Sequence, residues 1–300
     1  MYAKSLSSRL SNYIGVTAAS HWGPKAFDMD IDAIRGVSPV HTNNIDFGLI
    51  GVPSATALGV GPINWTVTTI DAGISGNTIV ANSSNGYLLI TPGTVAASGY
   101  NIQAFKSNTV SMLNHQWFSG GTPNTTLATG RDYYFGFRMA YSCDTAWDGA
   151  LYVGTAPSDT GLMTPATGAL DSIVNGVGLH IGLTGAMNLY KTVSSTPVAS
   201  TLTQTASTFA HTSSSFRARD FHDYFFWVHQ TTVAGTGTTG NAIELYIDGK
   251  LAASHLNLTC PNLSTTSQYP TIEVLNGTAG LVTLAIASMT TGVINYHAPS

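Results

Sequence analysis

The stretch IELYIDGKL, residues 243–251, decides the fold class, because it holds a strand, a tight turn and the start of a second strand. Every second residue is apolar and shares one face: Ile243, Leu245 and Ile247. This period of two is typical of a strand that is buried on one side. Asp248-Gly249 then favours the positive φ angles of a two-residue type I′ turn. The stretch therefore predicts an antiparallel hairpin.

Working outward, the same alternation predicts short strands from about residue 45 onward, separated by Gly, Asn, Ser and Pro clusters. No sequence repeat of fixed period occurs, which disfavours propellers and solenoids. We therefore predict an all-β, two-sheet antiparallel sandwich with little helix. The predicted strands are 64–70, 76–81, 86–91, 132–140, 149–154, 177–183, 187–191, 222–231, 242–248, 251–257, 271–275 and 281–287.

The chain ends differ in pattern from this central part. Within residues 1–45, apolar residues at helical spacing predict a short amphipathic helix over 5–14, and Gly-Pro and Ser-Pro breakers follow it. We interpret 1–45 as an N-terminal arm, either a floppy terminus or a segment that orders against a neighbouring subunit. The sandwich is predicted over 46–290, with a tail over 291–300. The candidate assembly residues of the arm are Leu6, Leu10, Tyr13, Ile14 and Trp22.

Several stretches resemble a known family. The strand containing Trp227, a polar loop and then ELYIDGKLAAS, residues 244–254, resemble the late paired strands of concanavalin A-like and laminin-G-like jelly rolls. Upstream, YYFGFRMAYS, DGALYVGTAPSDTGL and NGVGLHIGLTGAMNLYK are similar in order and spacing to such domains in phage structural proteins. The resemblance covers roughly residues 85–290 and implies a jelly-roll fold. It says little about function, because this fold serves lectins, glycosidases and virion shells.

The composition restricts the possible partners. Only 9% of residues are charged, against roughly 25% in ordinary soluble domains. A surface with so little charge favours an assembly component, and a homo-oligomer, over a freely diffusing monomer. No basic patch is present for nucleic acid, and no apolar run is long enough for a membrane helix. No signal-peptide pattern occurs either, so we expect assembly in a host cytoplasm and location in a virion.

Three groups of polar residues could carry chemistry, but none has the spacing of a known catalytic or metal motif. Asp28, Asp30 and Asp32 would share one face of a strand and could bind a divalent cation or act as paired carboxylates, but a solvated edge or an arm contact is the preferred interpretation. The second group is Asp220, His222 and Asp223, with His229 further on. It is typical of the polar residues found at the start of a strand. Asp148, Asp159 and Asp171 lie in or beside sandwich loops and could form a calcium site. We predict no catalytic residue, no metal and no cofactor.

A glycan groove is the most specific binding hypothesis. Gly178 and Gly182 flank His180 on one predicted strand face, and such small residues could leave a groove. Tyr190 and Trp227 could supply aromatic surfaces against which sugars stack. The alternative is that the glycines allow close packing of the sheet. Both interpretations stay open at the level of sequence.

Three functions follow from these observations. The first is a non-enzymatic structural component of a bacteriophage virion, a capsid decoration or cement protein that binds the major capsid protein or other virion proteins. The second is a tail-fibre or receptor-binding module that recognises host surface glycans. The third, a polysaccharide hydrolase, needs two carboxylates at a defined separation. It ranks last because the only two glutamates, Glu244 and Glu273, lie far apart in sequence.

Overall fold

The structure is a computed structural model that describes fourteen stretches of the chain: 40–46, 57–60, 63–70, 78–82, 86–92, 96–104, 131–143, 147–157, 161–170, 176–193, 196–232, 239–258, 269–277 and 281–295. Sixteen strands lie in them: β1 Val40–Asp46, β2 Ala57–Val60, β3 Ile63–Ile70, β4 Thr78–Asn82, β5 Tyr87–Thr91, β6 Gly99–Ala104, β7 Arg131–Cys143, β8 Gly149–Ala156, β9 Gly176–Ile181, β10 Ala186–Val193, β11 Thr196–Thr205, β12 His222–Thr232, β13 Thr239–Ile247, β14 Lys250–Leu258, β15 Tyr269–Asn276 and β16 Val282–Asn295.

The strands form two antiparallel sheets of eight strands each. Sheet A has the order β14-β13-β12-β7-β16-β5-β4, and β1 pairs with the C-terminal half of β16 beside β5. Sheet B has the order β11-β10-β9-β8-β15-β6-β3-β2. The chain is thus a two-sheet antiparallel jelly-roll sandwich, which confirms the fold class predicted from the sequence. Helix in the described residues is limited to α1, Ala206–Phe209, and one 3-10 turn, Ala218–Asp220.

The inner faces of the two sheets bury one continuous hydrophobic core. Sheet A contributes aromatic residues from β7 and β12, among which Phe135 and Phe226 stack with ring centroids 4.4 Å apart. Sheet B contributes mainly aliphatic residues, such as Leu151 on β8 and Leu179 on β9, which are fully buried. At about 25 cal/mol per Å² of apolar surface removed from water, this burial is the main stabilisation of the sandwich.

Strand β12 is apolar on both faces, as the sequence predicts for a central strand covered on both sides. Tyr224 and Phe226 point into the core, whereas Phe225 and Trp227 alternate with them and lie on the outer face of sheet A. All four side chains are buried. At the other end of this outer face, Phe216 from the segment before β12 packs on Tyr87.

Four strands were not predicted: β1, β2, β6 and β11. β2 and β11 are sheet edges, and β11 has the sequence TPVASTLTQT, whose Pro and Thr residues give a weak alternation. β6 is central, but Asn101 and Gln103 replace apolar residues on its outer face. β1 pairs Val40 with Ile294 and Asp46 with Ser288. Strand pairing therefore extends into both segments that the sequence interpretation assigned to the arm and the tail.

The predicted hairpin is confirmed. β13 and β14 pair in antiparallel fashion, and the turn between them has φ angles of 50° at Asp248 and 75° at Gly249. A residue whose backbone lies in this left-handed region is strained unless it is Gly, Asn or Asp. Gly249 is exposed, and a Cβ added there would meet no atom within 4 Å. The cost of a substitution at this position is therefore conformational rather than steric.

We predict that Gly249→Val lowers the free energy of unfolding by about 1–2 kcal/mol, because valine in the left-handed region brings its Cβ against the backbone. Gly249→Asn should cost less, since asparagine tolerates this conformation. Chemical denaturation of both variants measures the difference. Equal stability of the Val and Asn variants would contradict the type I′ assignment.

Candidate functional site

The outer face of sheet B carries a row of polar side chains in cross-strand register. Five residues lie side by side on neighbouring strands, in the order Asn188, His180, Tyr152, Glu273 and Asn101. An outer face that bears so many hydrogen-bonding groups needs either solvent or partners for them. The structure divides this row into a covered part and an open part.

Glu273 holds the covered part together. Its carboxylate is fully buried and accepts hydrogen bonds from Asn101 Nδ2 at 2.6 Å, Leu162 N at 2.7 Å and Met163 N at 2.8 Å. These hydrogen bonds engage both carboxyl oxygens and so offset the cost of removing the group from water. The carboxylate therefore fastens residues 161–170, which we name the cover loop, onto the outer face of sheet B.

Apolar contacts complete this attachment. Leu162 and Met163 of the cover loop pack against Tyr152 and Ala150 of β8, with Leu170 and Leu183 beside them. The predicted strand 177–183 would place Leu183 on the same face as Leu179 and Ile181, which face the core, but the structure does not. The strand ends at Ile181, and Leu183 packs on the opposite, outer side of sheet B.

His180 lies where the cover loop ends. Its Nε2 atom is 2.7 Å from the Gly168 carbonyl oxygen, which fixes the tautomer with the proton on Nε2. The ring is buried, and its Nδ1 atom has no hydrogen-bond partner among the described residues. Burial lowers the pKa of His180, against the opposing effect of the Gly168 carbonyl, so the ring is neutral near pH 7.

Of the two glycines beside His180, Gly178 serves close packing, whereas a Cβ at Gly182 would make only an ordinary contact, 3.6 Å from His180 Cε1. A Cβ added at Gly178 would lie 2.6–2.8 Å from ring atoms of Tyr152, so that ring already fills the space. Gly154, its cross-strand neighbour, would bring a Cβ within 2.5 Å of Gly178 Cα. The structure thus supports the second of the two alternatives at Gly178.

The open part of the face lies on β10 and β11. Tyr190 is half-buried, and its ring packs edge-on with the ring of His180 at a centroid distance of 5.3 Å. Asn188, two residues away on the same face, accepts a hydrogen bond from Thr201 Oγ1 at 2.8 Å. Ala199, the partner of Tyr190 on β11, is exposed. We name Asn188, Tyr190, Ala199 and Thr201 the Tyr190 shelf.

The structure does not bring Trp227 to this shelf. His180 and Tyr190 lie together on sheet B, whereas Trp227 lies on the outer face of sheet A between β13 and β7. Its cross-strand partner on β13 is Glu244, which accepts a hydrogen bond from Tyr246 Oη at 2.5 Å. Trp227 is 1% exposed, so its ring packs within the protein and offers no surface for a ligand. The grouping of these three residues in one groove is therefore corrected to His180 and Tyr190.

The residues of the predicted cluster before β12 do not form one site, because each contacts a different side chain. His222 Nδ1 lies 2.6 Å from Asp248 Oδ2 of the hairpin turn, and Asp223 pairs with Arg138 at 3.3 Å. Burial raises the pKa of Asp223 to about 6, with Arg138 opposing the shift. Asp220 instead contacts His211 at 3.4 Å. The first two contacts tie β12 to the β13–β14 turn and to β7, and the third lies within the segment before β12.

The other candidate residues fall mostly outside the described residues. These are the arm residues Leu6, Leu10, Tyr13, Ile14 and Trp22, the carboxylates Asp28, Asp30 and Asp32, and the loop residues Asp159 and Asp171. Assembly through the arm therefore stays a prediction. In the described part of the chain, no group of three or more His, Cys, Asp or Glu side chains could hold a metal ion. Nor does that part contain a helix long and apolar enough to cross a membrane.

Sequence reasoning missed three residues that organise this site: Glu273, Asn188 and Thr201. Glu273 was noted only as a possible catalytic acid, although a lone glutamate between Ile272 and Val274 on a buried strand signals a carboxylate with internal partners. Asn188 shares the face of Tyr190 by the period of two. Thr201 could not be found, because β11 was not predicted.

Comparison with known proteins finds similarity in overall chain shape alone. No family model matches the sequence, and no curated protein matches it. Among solved structures, the carbohydrate recognition domain of Emp47p matches with a TM-score of 0.47 and 12% identity, over 85% of this chain and 95% of that one. A protein of unknown function, SO2946 from Shewanella oneidensis MR-1, matches with a TM-score of 0.45 and 11% identity, over 95% of this chain and 99% of that one.

The binding domain of botulinum neurotoxin serotype D/C is a further match. Its TM-score is 0.42 at 8% identity, over 85% of this chain and 49% of that one. Matches at this identity and TM-score concern chain shape alone, so we build the function on this chain's own residues.

Replacing Glu273 tests the attachment of the cover loop. Leu162 N and Met163 N bond to different oxygens of Glu273, so Glu273→Gln leaves one of these N–H groups facing an amide NH₂ instead of an acceptor. We therefore expect a loss of about 1–3 kcal/mol of stability. Hydrogen exchange at the amides of Leu162 and Met163 should become faster. Glu244→Gln, on the other sheet, is the matched control and should leave exchange at these two amides unchanged. Unchanged exchange in Glu273→Gln would contradict the attachment.

The neutral His180 predicts a pH effect on stability. Because its pKa is lowered in the folded state, the unfolded chain takes up the proton first as the pH falls below about 6.5. Its contribution is therefore complete above that pH and is lost on acidification. We expect the free energy of unfolding to fall more steeply between pH 8 and pH 5 in the wild type than in His180→Gln. Parallel curves would show that His180 titrates alike in both states.

Proposed function

We propose that this chain is a carbohydrate-binding module and that the Tyr190 shelf is its glycan-binding surface. One observation carries the proposal: a half-buried aromatic ring lies beside an amide and a hydroxyl on the open part of the outer face of sheet B. Sugars present both C–H surfaces and hydroxyl groups. A ring that is apolar in body and polar at its tip suits the first, and amides and hydroxyls suit the second.

The hydrogen-bonding capacity of the shelf supports this proposal. Thr201 donates to the Oδ1 atom of Asn188, which leaves the two amide protons of Asn188 directed away from that bond. The Asn188 side chain is only partly buried. A sugar hydroxyl that accepts these protons would take part in a network that is already formed in the free protein.

The shelf is also held rigidly. Its residues lie on strands rather than loops, and the His180 ring supports Tyr190 from the side of the cover loop. A surface fixed in this way loses little conformational entropy on binding, which favours weak polar ligands such as sugars.

Hydrolysis gains no support from this face. A glycosidase needs two carboxylates about 5–10 Å apart on either side of the scissile bond. Among the described residues, Glu273 is the one carboxylate on the outer face of sheet B, and it is buried with its oxygens bound to two backbone amides and Asn101.

Within this proposal, the chain acts as the receptor-binding module of a virion and the ligand is a host surface glycan. The low charge and the resemblance of residues 85–290 to phage structural domains support that setting. Capsid decoration through the arm, and a homo-oligomeric state, stay predictions.

The test is glycan binding by a Tyr190→Ala variant. We expect its affinity for the best ligand from a glycan array to fall about tenfold or more, because a central aromatic contact usually dominates a binding surface. Isothermal titration measures this loss. Tyr190→Phe keeps the ring and should bind nearly as the wild type does. Leu251→Ala, an exposed residue on sheet A, is the control. Unchanged binding by Tyr190→Ala, or no glycan binding at all, would overturn the proposal.

A further inference from the structure

We infer that the Tyr190 shelf accepts neutral glycans and rejects glycans that carry sialic or uronic acids at the contacting sugar. This inference deepens the proposed function and rests on it. It concerns the sign of charge that the open part of sheet B offers to a ligand.

Almost no Lys or Arg occurs in the segments that form the β8–β11 half of sheet B. No Lys or Arg occurs between Arg138 and Lys191, or between Lys191 and Arg217. These two intervals contain all of β8, β9 and β11, the cover loop, and β10 up to Tyr190. The first interval contains the carboxylates Asp144, Asp148, Asp159 and Asp171, and the second contains none. Any charge that these segments bring near the shelf is therefore negative.

Lys191, the single exception, points away from the shelf. It follows Tyr190 on β10 and so faces the opposite side of sheet B, where it is buried. Its charge contributes to lowering the pKa of His255, whose Nε2 atom is 2.9 Å from the Leu189 carbonyl oxygen. Lys191 is thus placed towards β14 of the other sheet and has no route to a ligand on the outer face.

His180 does not replace the missing cation. It is the only histidine, lysine or arginine on the outer face of sheet B in the described part of the chain, and burial keeps it neutral near pH 7. Its Nε2 proton is directed to the Gly168 carbonyl. The shelf therefore presents an aromatic ring, an amide, a hydroxyl and a methyl group, all without charge.

An acid sugar on such a surface would lose water from its carboxylate without gaining a cation. Burying an unpaired charge is costly, and no described cation on this surface offsets that cost. A neutral sugar does not meet this cost. Recognition of sugar carboxylates in proteins commonly uses arginine, whose fork matches the carboxylate, and this surface has none among its described residues.

The experiment uses matched pairs of oligosaccharides. Neutral oligosaccharides that end in galactose, glucose, mannose or N-acetylglucosamine are compared with the same oligosaccharides capped by sialic or glucuronic acid. Titrations at low ionic strength, where charges are little screened, should show at least about tenfold tighter binding of the neutral member. Tighter or equal binding of the acidic member, lost in Tyr190→Ala, would overturn this inference and leave the proposed function standing. Absence of binding by both members would instead overturn the proposed function.

A charge-insertion variant tests the cause of the preference. Ala199→Lys adds a cation at an exposed position beside Tyr190 and should reduce the preference for the neutral member at low salt. High salt should restore the preference. Thr212→Lys adds the same charge at an exposed position in the segment before β12, and it should leave the preference unchanged. An equal effect of both variants, or no effect of Ala199→Lys, would contradict a local cause.

Discussion

The buried carboxylate of Glu273 is the constraint on which the binding face depends. A charge removed from water must find donors, and here two consecutive backbone amides of the cover loop and the Asn101 amide supply them. The hydrogen bonds to Glu273 determine where the cover loop begins to cross sheet B. The Gly168 carbonyl, later in the same loop, then meets His180.

Because the cover loop is fastened at both of these points, sheet B has two different outer surfaces. Over β15, β8 and β9, Leu162, Met163 and Tyr152 build a second small core. Over β10 and β11 no described segment covers the strands, and polar side chains face solvent. His180 stands at the boundary, with one ring nitrogen bound to the loop and its ring against Tyr190. The end of the cover loop at His180 therefore sets the border of the Tyr190 shelf.

The alternation of apolar residues was sufficient to predict the two-sheet sandwich, most of its strands and the type I′ turn, because inward-facing side chains and an Asp-Gly turn are local signals. The central strand β6 was missed because Asn101 and Gln103 stand on its outer face. The edge strands β2 and β11 could not be found in this way, since an edge strand buries less and needs no regular alternation. His180 and Tyr190, which the groove hypothesis grouped, lie with their ring centroids 5.3 Å apart. Trp227 was wrongly grouped with them, because the period of two gives the face of a strand but not the sheet to which that strand belongs. Likewise, nothing in the sequence indicated that the Tyr152 side chain occupies the space at Gly178.

The most direct test of the account is to map the residues whose backbone amides respond when a neutral oligosaccharide binds, by nuclear magnetic resonance or hydrogen exchange. We expect the largest changes at Gly178, at Asn188 to Tyr190 and at Ala199 to Thr201, with smaller changes at Gly168. The amides around Trp227 on sheet A should not change. A response centred on sheet A, or on the turns at the ends of the sandwich, would show that the Tyr190 shelf is not the binding surface.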